Sequence, residues 1–325
     1  MPFELIKPDT HIDFIGQVKY AIALSVAIVV LAAASWAVRG VRLGLDFTGG
    51  IELLVAMPQD AGADEGAIRS VVAEAGLPDS DVIRYGDVGS SEYVIRAHRD
   101  SAGEHGELVD QIKNALVERF GGADVQRVEF IGPKVGQELR SNGLKSLAIA
   151  SLLLLIYIGV RFTPIFAPGA IVAQVHDVVV TAALLVLFNR EFDLNVLAAL
   201  LAILGYSIND KIVIYDRIRE NMAIRTTHDF PRMVNESLNQ TLSRTVLTGG
   251  TAIFSSFALF VWGGPVIATF GLAMALGILV GTYSSLYITT PMLLWLHRRY
   301  GAAATPSAAA AGKASGGKRS KPARA

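Results

Sequence analysis

Two charged interruptions of long apolar runs carry whatever chemistry this chain performs. His176-Asp177 sits near the middle of the apolar run 165–188. Asn209-Asp210-Lys211 lies in a second run, with Asp216-Arg217 following on the same stretch. An ionised side chain at the centre of a bilayer costs about 2.5–3.5 kcal/mol even on the lenient insertion scale. Such a group is retained when it is paired, neutralised or used, and an intramembrane carboxylate reads first as part of an ion or proton pathway. Desolvation favours a protonated carboxyl, and a nearby cation favours the carboxylate. A group balanced between the two can load a proton on one side and release it on the other. Asp177 and Asp210 are the candidates for that role, with Lys211 and Arg217 as the cations. Two such carboxyls in contact would titrate as a unit. The plainer alternative makes Asp177 a static hydrogen-bond anchor between helices. His176, about 100° around a helix from Asp177, then faces a neighbouring helix as a neutral hydrogen-bonder. Asn209 would support packing or a relay beside Asp210.

Positioning these groups requires membrane-spanning helices. The chain has 325 residues, of which 52% are hydrophobic and 18% charged. Six runs approach the roughly 20 apolar residues that cross about 30 Å of hydrocarbon: 20–38, 144–160, 165–188, 194–215, 245–262 and 266–296. The first is longer than a signal-peptide core and lacks a strongly basic start, which predicts an uncleaved anchor. The formal net charge is zero. Positive residues nonetheless collect in 216–244 (Arg217, Arg219, Arg225, Arg232, Arg244) and in the tail 297–325, while 189–193 holds only Arg190. By the positive-inside rule both termini are cytoplasmic, together with 1–19 and the loop 216–244. The tail, rich in Ala, Gly, Ser and Lys, is expected to be disordered, with its basic patch free to touch anionic lipid.

The insert 39–143 then falls outside, in the periplasm. It holds 18 acidic and 11 basic residues, a net charge of −7. Strand-like runs at 51–57, 81–85, 92–97 and 125–131 alternate with helical stripes at 63–75 and 104–120. The order β-α-β-β-α-β is the ferredoxin-like split pattern. A turn is expected at 86–89, and 132–143 reads as a linker to the second span. His98 and His105 sit in polar company and read as exposed side chains. The expected fold class is therefore an α-helical multi-pass membrane protein with six transmembrane helices and one α+β ferredoxin-like periplasmic domain.

Several function classes drop out. The chain has no cysteine, so it has no disulfide, thiolate nucleophile or Cys-ligated zinc. Its six histidines lack metal-ligand spacing, and no P-loop pattern occurs. No enzyme activity, cofactor, metal site or nucleic-acid partner is indicated. Small residues at Thr248-Gly249-Gly250-Thr251, Ser255-Ser256, Gly271, Gly277 and Gly281 mark close helix packing.

Four ordered motifs carry a resemblance: Leu45-Asp46-Phe47-Thr48-Gly49-Gly50, His176-Asp177, the run from Gly205 through Asn209-Asp210 to Asn221, and Asn239-Gln240-Thr241-Leu242-Ser243-Arg244-Thr245. In these the chain resembles the SecD/SecF family, membrane subunits of the bacterial Sec protein-export system. Its Asn209-Asp210 stretch also resembles the wider resistance–nodulation–division transporters. The resemblance implies a subunit with no chemical step on substrate, acting with a SecD partner in the inner membrane. It would use the proton gradient to promote translocation of an unfolded polypeptide. It implies the SecYEG channel and, more loosely, YajC as further partners. Asp177 and Asp210 match the family's proton-coupling carboxylates, with Arg217 as a charge partner. Lys211 departs from the expected small or apolar residue; its charge could pin Asp210 ionised or join the switch. Asp46, Phe47, Thr48, Gly49 and Gly50 would form a hinge where the first span meets the external domain, since glycines permit unusual backbone angles. Two other functions stay open. One is a proton-driven small-molecule or lipid exporter of the same superfamily; the other is a scaffold of the channel without ion coupling. Sodium in place of protons stays open too.

Overall fold

The computed structural model describes residues 10–60, 62–78, 80–85, 91–97, 105–162, 165–224 and 229–304. The turn expected at 86–89, His98, Arg225 and the basic tail beyond 304 lie outside the described residues. In chain order the elements are α1 (Phe14–Arg39), α2 (Leu45–Thr48), β1 (Gly50–Ala56), α3 (Glu65–Glu74), β2 (Asp81–Tyr85), β3 (Glu92–Ala97), α4 (His105–Phe120), β4 (Asp124–Ile131), α5 (Pro133–Arg161), α6 (Ala167–Leu187), α7 (Leu194–Ile224), α8 (Phe230–Trp262), α9 (Gly264–Tyr287) and α10 (Thr289–Ala304).

Among the described residues, six spans are long and apolar enough to cross a membrane: α1, α5, α6, α7, α8, and α9 continued by α10. Their centre is the α6–α7 pair. Half of α7's apolar window is buried, against 11% of α5's. The helices outrun the apolar runs because polar helix formers extend them. α7 continues to Ile224 and α8 starts at Phe230, so most of the loop expected over 216–244 is helical. The linker expected over 132–143 is corrected in the same way. Pro133 occupies the first turn of α5, where its missing N–H loses no helical bond, and the helix runs on unbroken. The last span, expected as one helix over 266–296, breaks at Ile288. Pro291 has no N–H to return to the Tyr287 carbonyl, which explains the break.

The domain between α1 and α5 is a four-stranded antiparallel sheet in the order β2-β3-β1-β4. This is the split β-α-β arrangement. Ile51, Leu53 and Val55 of β1 alternate inward, as do Tyr93 and Ile95 of β3. They close a core with Ile68 and Val72 of α3 and Leu108, Ile112 and Leu116 of α4. Asp64 caps α3 by accepting from the Ala67 N–H at 2.6 Å.

The Leu45–Gly50 junction is a tightly packed corner. Residues 45–48 form the short helix α2, and the Asp46 carboxylate accepts from the Leu194 N–H at 2.9 Å, capping α7. Gly49 and Gly50 have φ of 79° and 148°. A Cβ on Gly49 would meet the Pro133 backbone at 2.9 Å, and one on Gly50 would meet the Ala97 carbonyl oxygen. The glycines are therefore required by close backbone approach as well as by conformation. A bend at this junction, expected from the sequence as a hinge, would have to carry these backbone contacts with it.

Candidate ion-coupling site

Asp177 lies on α6 and is fully buried; Lys211, on α7, is fully buried too. Lys211 Nζ donates to Asp177 Oδ2 at 2.7 Å. Ser207, one turn before Lys211 on the same face, donates its hydroxyl to the same oxygen and also contacts Nζ. An ion pair this deep holds only with good geometry and supporting hydrogen bonds. Ser207 gives one, and the Lys211 ammonium also reaches the Ser207 carbonyl at 3.5 Å. Gln174, one turn before Asp177, ties the two helices again by donating to the Leu204 carbonyl at 2.9 Å.

On its other side Asp177 opens into a chain of polar groups. Its Oδ1 lies 3.3 Å from His176 Nδ1. His176 Nε2 lies 2.8 Å from the Ser25 hydroxyl of α1, which lies 3.0 Å from the Tyr283 hydroxyl of α9. Tyr283 donates to the Ala21 carbonyl. That carbonyl can only accept, and each hydroxyl has one proton. The chain therefore runs one way: Tyr283 to Ala21, Ser25 to Tyr283, and His176 Nε2–H to Ser25. This direction assigns the tautomer. His176 Nδ1 is then the ring atom that faces the Asp177 carboxylate.

Asp210 stands apart from this cluster. It lies about 100° round α7 from Lys211, and it is buried, with Thr282 of α9 donating to it at 3.5 Å. Lys211 and Arg244 are the cations whose fields reach it. The structure thus brings together His176, Asp177 and Lys211, but it does not place Asp210 against Asp177. Nor does it bring Arg217 to either carboxylate: Arg217 donates to Gln240 at 2.6 Å and to Glu220 at 2.7 Å at the end of the bundle. Asn209 is exposed and has no hydrogen-bond partner among the described residues. Ser25, Thr282, Tyr283 and Arg244 are the groups that spacing alone did not single out for this site. Ser207 alone had a local signal, being four residues before Lys211.

The site is linked to the α+β domain through the α6–α7 loop. Phe192 donates to the Arg42 carbonyl at 2.8 Å, and Gly44 donates to the Phe192 carbonyl at 2.7 Å. The Glu191 carboxylate accepts from Arg42 at 3.1 Å and from Arg96 of β3 at 3.3 Å. Arg42 also pairs with Asp81 of β2, and Arg96 with Glu52 of β1 at 2.7 Å. Burial raises the Glu191 carboxyl above its ordinary 4.5; Asp81 adds to the push, and Arg96 and Arg42 oppose it. Burial also raises Asp193 above its ordinary 3.8, against the Val196 N–H and the Asn195 amide.

These two groups bind protons more readily folded than unfolded. Their contribution to stability is therefore greatest at low pH and declines as pH rises from the ordinary values through the raised ones. Glu191→Gln should flatten that decline in thermal unfolding of the detergent-solubilised chain measured against pH. An unchanged slope would exclude Glu191 as its source.

Six spans long and apolar enough to cross a membrane, packed around a buried carboxylate–lysine pair and joined to one small α+β domain, define a multi-pass membrane protein. Known proteins place it further. The family profile described as "Protein export membrane protein SecD/SecF, C-terminal" matches residues 111–299, and the "SecD/SecF GG Motif" matches 34–57. The protein translocase subunit SecF of Pseudomonas aeruginosa is 38% identical over 88% of this chain and 92% of its own. That of Escherichia coli O157:H7 is 36% identical over 87% of each. The crystal structure of SecDF, a translocon-associated membrane protein from Thermus thermophilus, superposes with a TM-score of 0.78 at 32% identity. The match covers 91% of this chain but 40% of that longer one. The chain belongs to the SecD/SecF family of protein export membrane proteins, among the SecF translocase subunits. Those relatives are named as translocase subunits, a transport role.

Proposed function

We propose that this chain uses the proton gradient across the bacterial inner membrane to promote protein export, as the SecF half of a complex with SecD. Both termini face the cytoplasm, the split β-α-β domain faces the periplasm, and the SecYEG channel and YajC complete the assembly around an unfolded polypeptide. The observation that carries this reading is the buried Asp177–Lys211–Ser207 cluster with its one-way hydrogen-bond chain. The cluster and chain lie deep in the bundle, at the crossing of α6 and α7. Protons fit better than sodium there, because the donors already on Oδ2 occupy the oxygen a metal ion would need. A proton moving down the membrane potential releases about 2.3 kcal/mol per 100 mV. The α6–α7 loop, stitched to Arg42, Asp46 and Arg96, would pass a shift of the pair to the domain.

A SecD partner is supported by the polar surface that α7 and α8 turn outward. Gly205, Asn209, Thr248, Thr251 and Ser255 are all exposed. Polar groups within spans are expected to face protein rather than lipid. The two threonine hydroxyls and Ser255 donate to carbonyls of their own helix, which leaves Asn209 to be met by a partner.

The test is export of a reporter protein from membrane vesicles at a set proton gradient, with SecD present and protein levels matched. Asp210→Asn should keep the fold and lose the gradient-dependent part of export. Export equal to wild type both in this variant and in Asp177→Asn would instead favour an uncoupled scaffold.

A further inference from the structure

A cleft of about 290 Å³ opens between the external domain and the membrane bundle. Arg42, Arg69, Arg96 and Arg190 line it, with Asp81 and Glu191 as the lining carboxylates. Arg42 and Arg96 are already shared among those carboxylates and Glu52. The other two guanidiniums are not. Arg69 makes one long bond, 3.5 Å, to the Val82 carbonyl. The Arg190 Nε is buried without an acceptor, and its guanidinium lies 5.7 Å from the Phe260 ring centre. Neither pairs with a carboxylate among the described residues. Guanidinium forks match phosphate oxygens well, and an arginine left without an anion in a cleft is poised for one.

The cleft's height in the bundle says which anion. Its floor is made by Asn189 and Arg190, just past the end of α6, and by Pro265, Ala268 and Thr269 in the first turns of α9. These are the ends of membrane-crossing helices, at the level of lipid headgroups. The same segments continue into exposed apolar side chains: Phe188 is 56% exposed, Trp262 78% and Ile267 44%. A cationic cleft at the height of these exposed apolar span ends suits a molecule with a phosphate at one end and hydrocarbon at the other. Exposed aromatic residues at span ends also mark the membrane interface.

We propose that this cleft binds the headgroup phosphodiester of an anionic membrane phospholipid, held between Arg69 of the domain and Arg190 of the α6–α7 loop. The lipid bridges the domain to the bundle beside the Glu191 ion cluster. Choline-bearing lipid is disfavoured because its fixed cation meets four arginines.

The test is native mass spectrometry of the full chain titrated separately with phosphatidylglycerol, phosphatidylcholine and inorganic phosphate. Wild type should retain phosphatidylglycerol about tenfold more tightly than phosphatidylcholine, the discrimination expected of a charge-assisted contact. R69Q/R190Q should bind the two lipids alike. Arg69 is exposed, so R69Q alone gives a folded variant, in which part of the preference should disappear. Equal retention of the two lipids by wild type, or a preference untouched by R69Q and the double variant, would overturn the proposal. Displacement of bound phosphatidylglycerol by inorganic phosphate would also overturn it, by assigning the cleft to a free anion.

Discussion

Asp177→Asn should destabilise the folded protein by about 3–5 kcal/mol, because it leaves the fully buried Lys211 ammonium without its counter-charge. The loss is that of breaking a buried pair. Removing both charges is different, since well-packed apolar or neutral groups of similar volume often restore stability. Asp177→Asn combined with Lys211→Met should therefore recover most of the loss in thermal unfolding of the detergent-solubilised chain. Methionine is unbranched and fills the lysine stem's path. Export in vesicles with SecD should not recover alongside it, because the double variant has no ionisable group left at the α6–α7 crossing apart from His176. Recovery of gradient-dependent export together with stability would show the pair to be a structural anchor only. That outcome would transfer any coupling role to Asp210.

Gly50→Ala should disrupt the corner that joins α1 to the domain. With φ at 148°, the alanine would be held in a conformation L residues rarely adopt, and its Cβ would run into the Ala97 carbonyl oxygen and the Leu45 side chain. Left-handed backbone strain of about 1–2 kcal/mol adds to about 1–3 kcal/mol for overpacking against backbone that has no rotamer to change. Gly49→Ala meets the Pro133 backbone and the Ile131 carbonyl and should behave alike. The domain has its own core of Ile68, Ile112, Leu53 and Ile95, so its sheet should survive. Hydrogen exchange should accordingly rise at β1's first residues, α2 and the start of α5, with the α3–α4 layer still protected. Uniform protection across the junction would mean that the corner yields, which would favour the hinge reading of this motif.

Much of this architecture was legible without coordinates, for a physical reason in each case. Hydrocarbon thickness demands apolar runs of a given length, so the six spans announced themselves. Short apolar runs on either side of a glycine-bounded turn read as strands, so β2 at 81–85 and β3 at 92–97 could be bounded by inspection. The energetic penalty on intramembrane charge drew attention to Asp177, Asp210 and Lys211. The helix ends were harder to read. Lys134, Glu138 and Arg140 look like linker residues yet extend α5, because polar residues are as good at forming helix as apolar ones once a chain has left the hydrocarbon.

Which charges meet was decided by the tertiary structure alone. Neighbours in sequence diverge by about 100° on a helix, so Lys211 turns to Asp177 on α6 while Asp210 turns to Thr282 on α9. Arg217, two turns on, leaves the hydrocarbon before it can pair with either. Ser25 and Tyr283 come from opposite ends of the chain, and nothing local marks them, since only the packing of α1 and α9 against α6 sets them in line with His176. Residue type and the bilayer determined that buried charge had to be compensated; the rotation and crossing of α6 and α7 determined by what.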